Sequence, residues 1–331
     1  MQYPTIQWFR QHQKEIWFKM NDLYSILSVS KQAVHQYWQR EKLFEEKLSS
    51  LLIDVDLLRA EHPGCGVEKM YHTLHPNWIG RDRFVEIIMS LGYRVKQARS
   101  YNRTTIPIKN NYPNLIEGMI LWNKNQLWQT DITYILVGER FYYLVFIVDV
   151  YTKLILGYQA SDHLRAEANI YALKMAMRTC NDNIRGLIHH SDRGSQYIDT
   201  KYTQMLLNHD VYISMGLKAQ DNAYAERVNG IIKNEYLRYR EMRNLSDLKR
   251  HTKHAVNHYN TKRIHLSLPG KITPIQFEKN LLNLPYQKRP KVIIYAEGNP
   301  RIKEALSHLD SLPEKNLQAP ICPMVLVERN N

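Results

Sequence analysis

Trp128-Gln129-Thr130-Asp131-Ile132-Thr133-Tyr134-Ile135 is the stretch from which the fold is read, and it carries one acid, Asp131. Two later segments complete it. One is His189-His190-Ser191-Asp192-Arg193-Gly194-Ser195-Gln196-Tyr197, and the other is Asp221-Asn222-Ala223-Tyr224-Ala225-Glu226-Arg227-Val228-Asn229-Gly230. Asp131 and Asp192 stand on or beside short apolar strands, and Glu226 on a helix. Carboxylates gathered in one place repel each other and call for a shared cation. Oxygen ligands of this hardness suit Mg²⁺, with Mn²⁺ as a substitute.

Outward from these acids, the block predicts strands at Leu127–Leu136, Phe141–Tyr151 and Lys153–Ser161. The second is apolar nearly throughout, as a buried central strand should be. A helix over Arg165–Cys180, a strand over Gly186–His190, a helix over Lys201–Asn208 and a strand over Val211–Met215 follow. The last helix is predicted over Asn222–Arg238. Three antiparallel-type strands followed by alternating helix and strand is the ribonuclease H-like order, an α/β class with a mixed five-stranded sheet. At about 100° per residue, Asn222, Glu226, Asn229 and Lys233 share one face of that last helix. Ala225, Val228, Ile232 and Tyr236 share the opposite face and turn toward a core.

Together with Tyr259-Asn260-Thr261-Lys262-Arg263-Ile264-His265, these segments closely resemble the OrfB-type transposases of the insertion sequence three family. That family lies within the DDE transposase and retroviral integrase superfamily. The resemblance runs from about Leu52 to Phe277, and the order of the motifs makes it specific. It implies a DNA transposase that binds the terminal inverted repeats of its element, nicks to free a 3′-OH and performs strand transfer into target DNA. It implies Asp131, Asp192 and Glu226 as catalytic metal ligands for two Mg²⁺ ions, Asp131 bridging. It also implies homo-oligomers and, in many relatives, a helix-turn-helix partner from an upstream frame. Between Asp192 and Glu226 lie 33 residues, slightly fewer than is usual in the family; the shortening falls in Gly216–Gln220, read as a loop. Two other functions stay open. One is a ribonuclease H-type nuclease without strand transfer; the other is a non-catalytic DNA-binding repressor.

The charge agrees with a polyanionic partner. The chain carries +13 overall, with +4 in residues 1–120, −1 in 121–226 and +10 in 227–331. A basic excess beside an acidic cluster would bring nucleic acid and cation together. Cys65, Cys180 and Cys322 are far apart and form no CxxC pair, which speaks against a disulfide framework or a thiolate zinc site. The apolar run Phe141–Tyr151 is broken by Asp149 and is too short to span a bilayer. The first fifteen residues lack the apolar block of a secretory signal. A cytoplasmic, nucleoid-associated protein is expected.

Residues 1–45 read as a helix-turn-helix-like segment, with Ser30 as N-cap of a helix exposing Lys31, Gln32 and Gln36. Residues 46–95 read as a second helix-turn-helix module exposing Arg81 and Arg83. Residues 96–121 read as a basic linker; Arg94 and Lys96 begin an acid-free stretch that could lie along phosphates. The catalytic core is expected over 122–240, a basic helical extension over 241–285 and a Pro-containing tail over 286–331.

Other polar groups lie in and around these segments. Lys233 is a candidate phosphate contact near the cut, or an ordinary surface lysine. Asn222, Asn229 and Arg193 flank the acids and are candidate DNA contacts. Arg263 and His265 could touch DNA or pack. Asp149 reads as a structural hydrogen-bonding group, Asp221 as the cap of the Glu226 helix and Glu235 as a solvated helix residue. His189 and His190 lack a matching ligand pair and are read as shaping the Asp192 turn.

Overall fold

The computed structural model describes residues 2–15, 17, 19–95, 112–181, 183–216 and 219–294. It forms two compact units, Met1–Ala60 with Pro76–Trp78, and Glu61–His75 with Ile79–Asn331.

The first unit contains α1 (Gln2–Gln11), α2 (Met20–Ile26) and most of α3 (Lys31–Glu61). Ile6, Leu23 and Val34 are its buried centre. Ser30 Oγ accepts the Ala33 N–H at 3.0 Å, the expected cap of α3. The expected break at 45/46 is absent, because α3 runs through it for 31 residues. No Gly or Pro interrupts Lys31–Glu61, and its residues are mostly good helix formers.

The second unit begins with α4 (Val67–Leu74) and α5 (Arg81–Ser90), which pack on each other. These two helices therefore group with the core and not with the helix read as their module partner. After β1 (Ile120–Leu121) come β2 (Leu127–Val137), β3 (Arg140–Asp149), β4 (Ile155–Ser161), α6 (Ala166–Thr179), β5 (Ile188–Ser191), α7 (Thr200–Leu207) and β6 (Tyr212–Met215). Next is α8 (Ala223–Ile231), then a π-helical turn at Ile232–Tyr236 and a 3₁₀ turn at Leu237–Tyr239. The continuous helix expected to Arg238 is thus interrupted. α9 (Leu245–Thr261), α10 (Pro274–Leu281) and β7 (Val292–Ile293) complete it.

The main sheet has the order β4-β3-β2-β5-β6. β2, β3 and β4 are antiparallel, while β5 and β6 are parallel to β2. This is the ribonuclease H-like arrangement. Helices cover both faces, so β3 must be apolar on both. Val145 and Ile147 face α6 and α7 through a cluster that includes Trp128, Ala172, Tyr202 and Leu206. Leu144, Phe146 and Val148 face α8 and α9 with Ala225, Val228, Leu248 and Tyr259. Gly157 on β4 permits the closest helix contact, since a Cβ there would strike the Ala172 carbonyl of α6.

The stretch 112–121, expected to be linker, is part of this unit. β1 pairs with β7, Ile120 opposite Ile293 and Leu121 opposite Val292. Ile116, Met119 and Leu121 are buried with Phe277, Leu281 and Ile294. The rest of the expected linker, with Lys96, lies outside the described residues, as do the tail from residue 295 and positions 217–218.

Candidate active site

The parallel register of β2 and β5 decides where the acids meet. Gln129 stands opposite His190, at the end of the pairing. Two residues further along each strand are Asp131 and Asp192. Adjacent strands lie about 4.8 Å apart, so the two carboxylates leave the sheet side by side. Asp131 lies midway along β2, just past its last residue paired with β5, and Asp192 follows the carboxyl end of β5.

α8 supplies the third acid. Gln129, Asp131 and Thr133 alternate onto one face of β2. The α8 face expected from helical spacing lies along them. Asn229 Nδ2 donates to Asp131 Oδ2 at 2.8 Å, and Lys233 Nζ donates to Thr133 Oγ1 at 3.2 Å. Asn222 Nδ2 donates to the Thr130 carbonyl at 2.8 Å. Ala225, Val228 and Ile232 anchor the other side of the helix in the core. Glu226 is left exposed beside the two aspartates.

These groups act on one another electrostatically. Burial, then Asp192, then Glu226 push the Asp131 carboxyl up to about 8. Burial and Asp192 likewise raise Glu226. Burial lowers the Lys233 ammonium, with Asp131 opposing. Asp192 Oδ1 accepts the Gly194 N–H at 3.0 Å, which folds the turn after β5. Among the described residues no three His, Cys, Asp or Glu side chains are drawn tightly enough to cage an ion as they stand. The donor chemistry nonetheless fits one. Three carboxylates that resist ionising together are the ligand set a hard divalent cation relieves.

Several expected DNA contacts have other partners. Asn222 and Asn229 are buried and tied to β2, so they do not face solvent. Arg263 is 6% exposed and reaches Glu235 through Nε and Nη2, at 2.8 and 2.9 Å. His265 is buried beside it, with Nε2 3.1 Å from Arg263 Nη1. Lys31, Gln32 and Gln36 are exposed on α3, and Arg94 is exposed as well. Arg81 and Arg83 are exposed but ion-paired, Arg81 with Asp82 and Glu68 and Arg83 with Glu86. Arg193 is half-buried, and its Nε has no hydrogen-bond partner in the described structure.

Two residues differ from their sequence reading. Glu235 is no solvated helix residue: it also accepts from Lys69 at 2.8 Å and lies 2.7 Å from His62 Nε2. Asp221 does not cap the Glu226 helix; the N-cap position is Asn222, whose side chain makes no capping bond. Asp149 does have its expected role, accepting from Asn125 N, Thr152 N and Thr152 Oγ1 at 2.7 Å each. His190 bonds Ser214 and His189 bonds Tyr202, which holds β5 in place.

Comparison with known proteins gives the same lineage. Residues 123–220 and 211–274 each match an integrase core domain family. The insertion element IS600 31 kDa protein of Shigella sonnei is 32% identical over 269 residues, 77% of this chain and 96% of that protein. The transposase for insertion sequence element IS629 of Shigella sonnei is 33% identical over 157 residues, 47% of this chain and 52% of that one. Transposase InsF for insertion sequence IS3A of Escherichia coli K12 is 32% identical over 142 residues, 41% and 48% of the two chains. The chain therefore spans about half the length of these two named transposases. Among solved structures, the HTLV-2 integrase catalytic core domain in complex with magnesium covers 50% of this chain and 99% of its own, at 20% identity and a TM-score of 0.38. With integrase core matches across its acidic strands and helix, and a relative aligned over nearly its whole length, the chain belongs to the insertion sequence three family of DDE transposases.

Proposed function

We propose that this chain cuts and joins DNA at the ends of its own element, by metal-dependent phosphoryl transfer at Asp131, Asp192 and Glu226. The observation that carries this reading is the packing of α8 along β2, which sets an exposed Glu226 beside Asp131, midway along β2, and Asp192, just past β5. Asp131, Asp192 and Glu226 would hold the Mg²⁺ ions. When bound, such ions would supply positive charge to the attacking and the leaving oxygen of an in-line displacement.

The protein's own groups have separate tasks. Asn229 fixes the rotamer of Asp131 through its 2.8 Å bond. Lys233 stands one turn further on and is the candidate for a phosphate oxygen beside the cut. Arg193, with Nε unpartnered, is a second candidate for that oxygen. Lys31, Gln32 and Gln36 can reach base edges, as can Arg81 and Arg83 once released from their carboxylates. The exposed basic residues of α9 add affinity without sequence choice. Two ends must be paired, so a homo-oligomer belongs to this reading.

The test is an end-joining assay with full-length protein, Mg²⁺ and a duplex ending in the element's terminal repeat. Joined product dependent on a free 3′-OH is expected. Nicking without joining would favour the nuclease, and binding without any cleavage would favour the repressor.

A further inference from the structure

The residue at the N-cap of the helix that carries Glu226, Asn222, makes no side-chain capping bond. The missing acceptor comes from β2. Gln129 Oε1 accepts the N–H groups of Tyr224 and Ala225 at 3.1 and 3.4 Å. These are the second and third positions of α8, the donors an N-cap side chain ordinarily takes. The same amide donates through Nε2 to the Asp221 carbonyl at 2.9 Å. Gln129 is 1% exposed, so none of these bonds competes with water. Asn222 adds a second tie, donating to the Thr130 carbonyl just past the last paired position of β2 and β5.

We infer that Gln129 is a positioning residue for the metal site, setting how far Glu226 stands from Asp131. It occupies the strand two residues before the first acid and grips the backbone two residues and one residue before the third. Carried on the Asp131 strand, it ties that strand to the start of α8. If the amide is lost, α8 keeps its apolar anchor but its first turn is free to slide along β2. Glu226 lies in that turn, so the separation of the ligands, and with it cation affinity, would suffer first. Asn229 and Lys233 bind β2 further along and would hold the later part of the helix. This inference rests on the metal-site reading of the three acids.

The experiment uses full-length protein and Mn²⁺ as probe, followed by the electron-spin signal of the free ion, without DNA. Gln129→Met keeps length and apolar fit and removes all three bonds. It should weaken Mn²⁺ binding roughly 10-fold, as loss of an outer partner of a ligand does. End joining at fixed Mg²⁺ should fall roughly 10- to 100-fold, the usual effect of a misplacement near 1 Å, and excess Mg²⁺ should restore part of it. Asn222→Ala should move Mn²⁺ affinity the same way by less, and serves as the test if Gln129→Met does not fold. Leu281→Ala, a core change on α10, should lower the melting temperature and leave Mn²⁺ affinity unchanged. Wild-type Mn²⁺ affinity in folded Gln129→Met, or an equal loss in Leu281→Ala, would overturn the inference. Because Mn²⁺ binding is read without DNA, failure of the wild-type chain to join ends would sink only the transposase reading.

Discussion

Glu235 and Arg263 form a two-pronged ion pair inside the protein, with Nε and Nη2 of the guanidinium at 2.8 and 2.9 Å from the two carboxylate oxygens. The pair holds together three parts of the chain. Glu235 sits in the π-helical turn after α8, Arg263 follows α9, and Lys69 on α4 and His62 complete the ring around the carboxylate. The backbone closes on it too: Gly64 N donates to the Glu235 carbonyl at 2.8 Å, and a Cβ on Gly64 would strike Glu235 Cα. The π-turn at this point contains Lys233 and widens the helix after the segment that carries Glu226.

Breaking this cluster should be costly. Glu235→Gln leaves Arg263 and Lys69 without their counter-charge, a situation that typically costs roughly 3–5 kcal/mol. Burial acts to raise the Glu235 carboxyl, but bonds from Arg263 and His62 and the charges of Arg263 and Lys69 pull it well below the usual carboxylate range. A depressed folded value means stability that is full above the unfolded carboxylate pKa, about 4.3, and is lost as pH falls through the folded one. Wild-type protein should therefore lose stability steadily below about pH 4.3, and Glu235→Gln should lack that component. Urea melts of both between pH 3 and 7 check it; parallel acid slopes would count against the role of Glu235.

The basic extension should act through charge alone. Lys249, Arg250 and Lys253 are exposed on α9, Arg250 paired with Asp247 at 2.9 Å, and Lys262 is engaged with Glu61. Replacing the first three by Ala should reduce the slope of log K against log salt by up to about 0.9 for each lost phosphate contact. The loss should be equal on terminal-repeat and random duplexes. An unchanged slope would move the phosphate path elsewhere.

Sequence choice should belong to α3. Lys31, Gln32 and Gln36 are exposed there, and phosphate contacts carry no sequence information. Changing all three to Ala should cut the preference for the element's ends by about 1–3 kcal/mol per lost base contact, while affinity for random DNA changes little. Competition binding with the two duplexes at moderate salt measures this. A preference that survives intact would assign the reading to another surface.

Much of this architecture was legible because it is periodic. The near-continuous apolar run of β3 and the 100° spacing of Asn222, Glu226, Asn229 and Lys233 depend only on neighbours in the chain. The match of 112–121 to β7 was not, because β1 pairs with a strand about 170 residues away, and two residues on each side carry no pattern. Glu235 looked solvated because nothing near it in sequence announces Arg263, His62 and Lys69. Asp221 looked like a cap by local rules, yet the cap came across from Gln129 on another strand. The π-turn is equally silent: Ile232–Tyr236 has ordinary helix formers, and packing against Gly64 accompanies the departure. Burial of Arg263 also explains why its charge, counted toward a basic surface, does not contribute to one.

The central claim is that Asp131, Asp192 and Glu226 act as one metal-binding set. The most direct measurement is end joining in Mg²⁺ by Asp131→Asn, Asp192→Asn and Glu226→Gln, each assayed beside its affinity for terminal-repeat DNA. Amides keep the size of each side chain and remove the ligand charge. Each variant should bind DNA within about threefold of wild type, since neutralising one acid alters at most one local charge near the phosphates, and should form no joined product. Glu226→Gln joining ends at the wild-type rate would contradict the account.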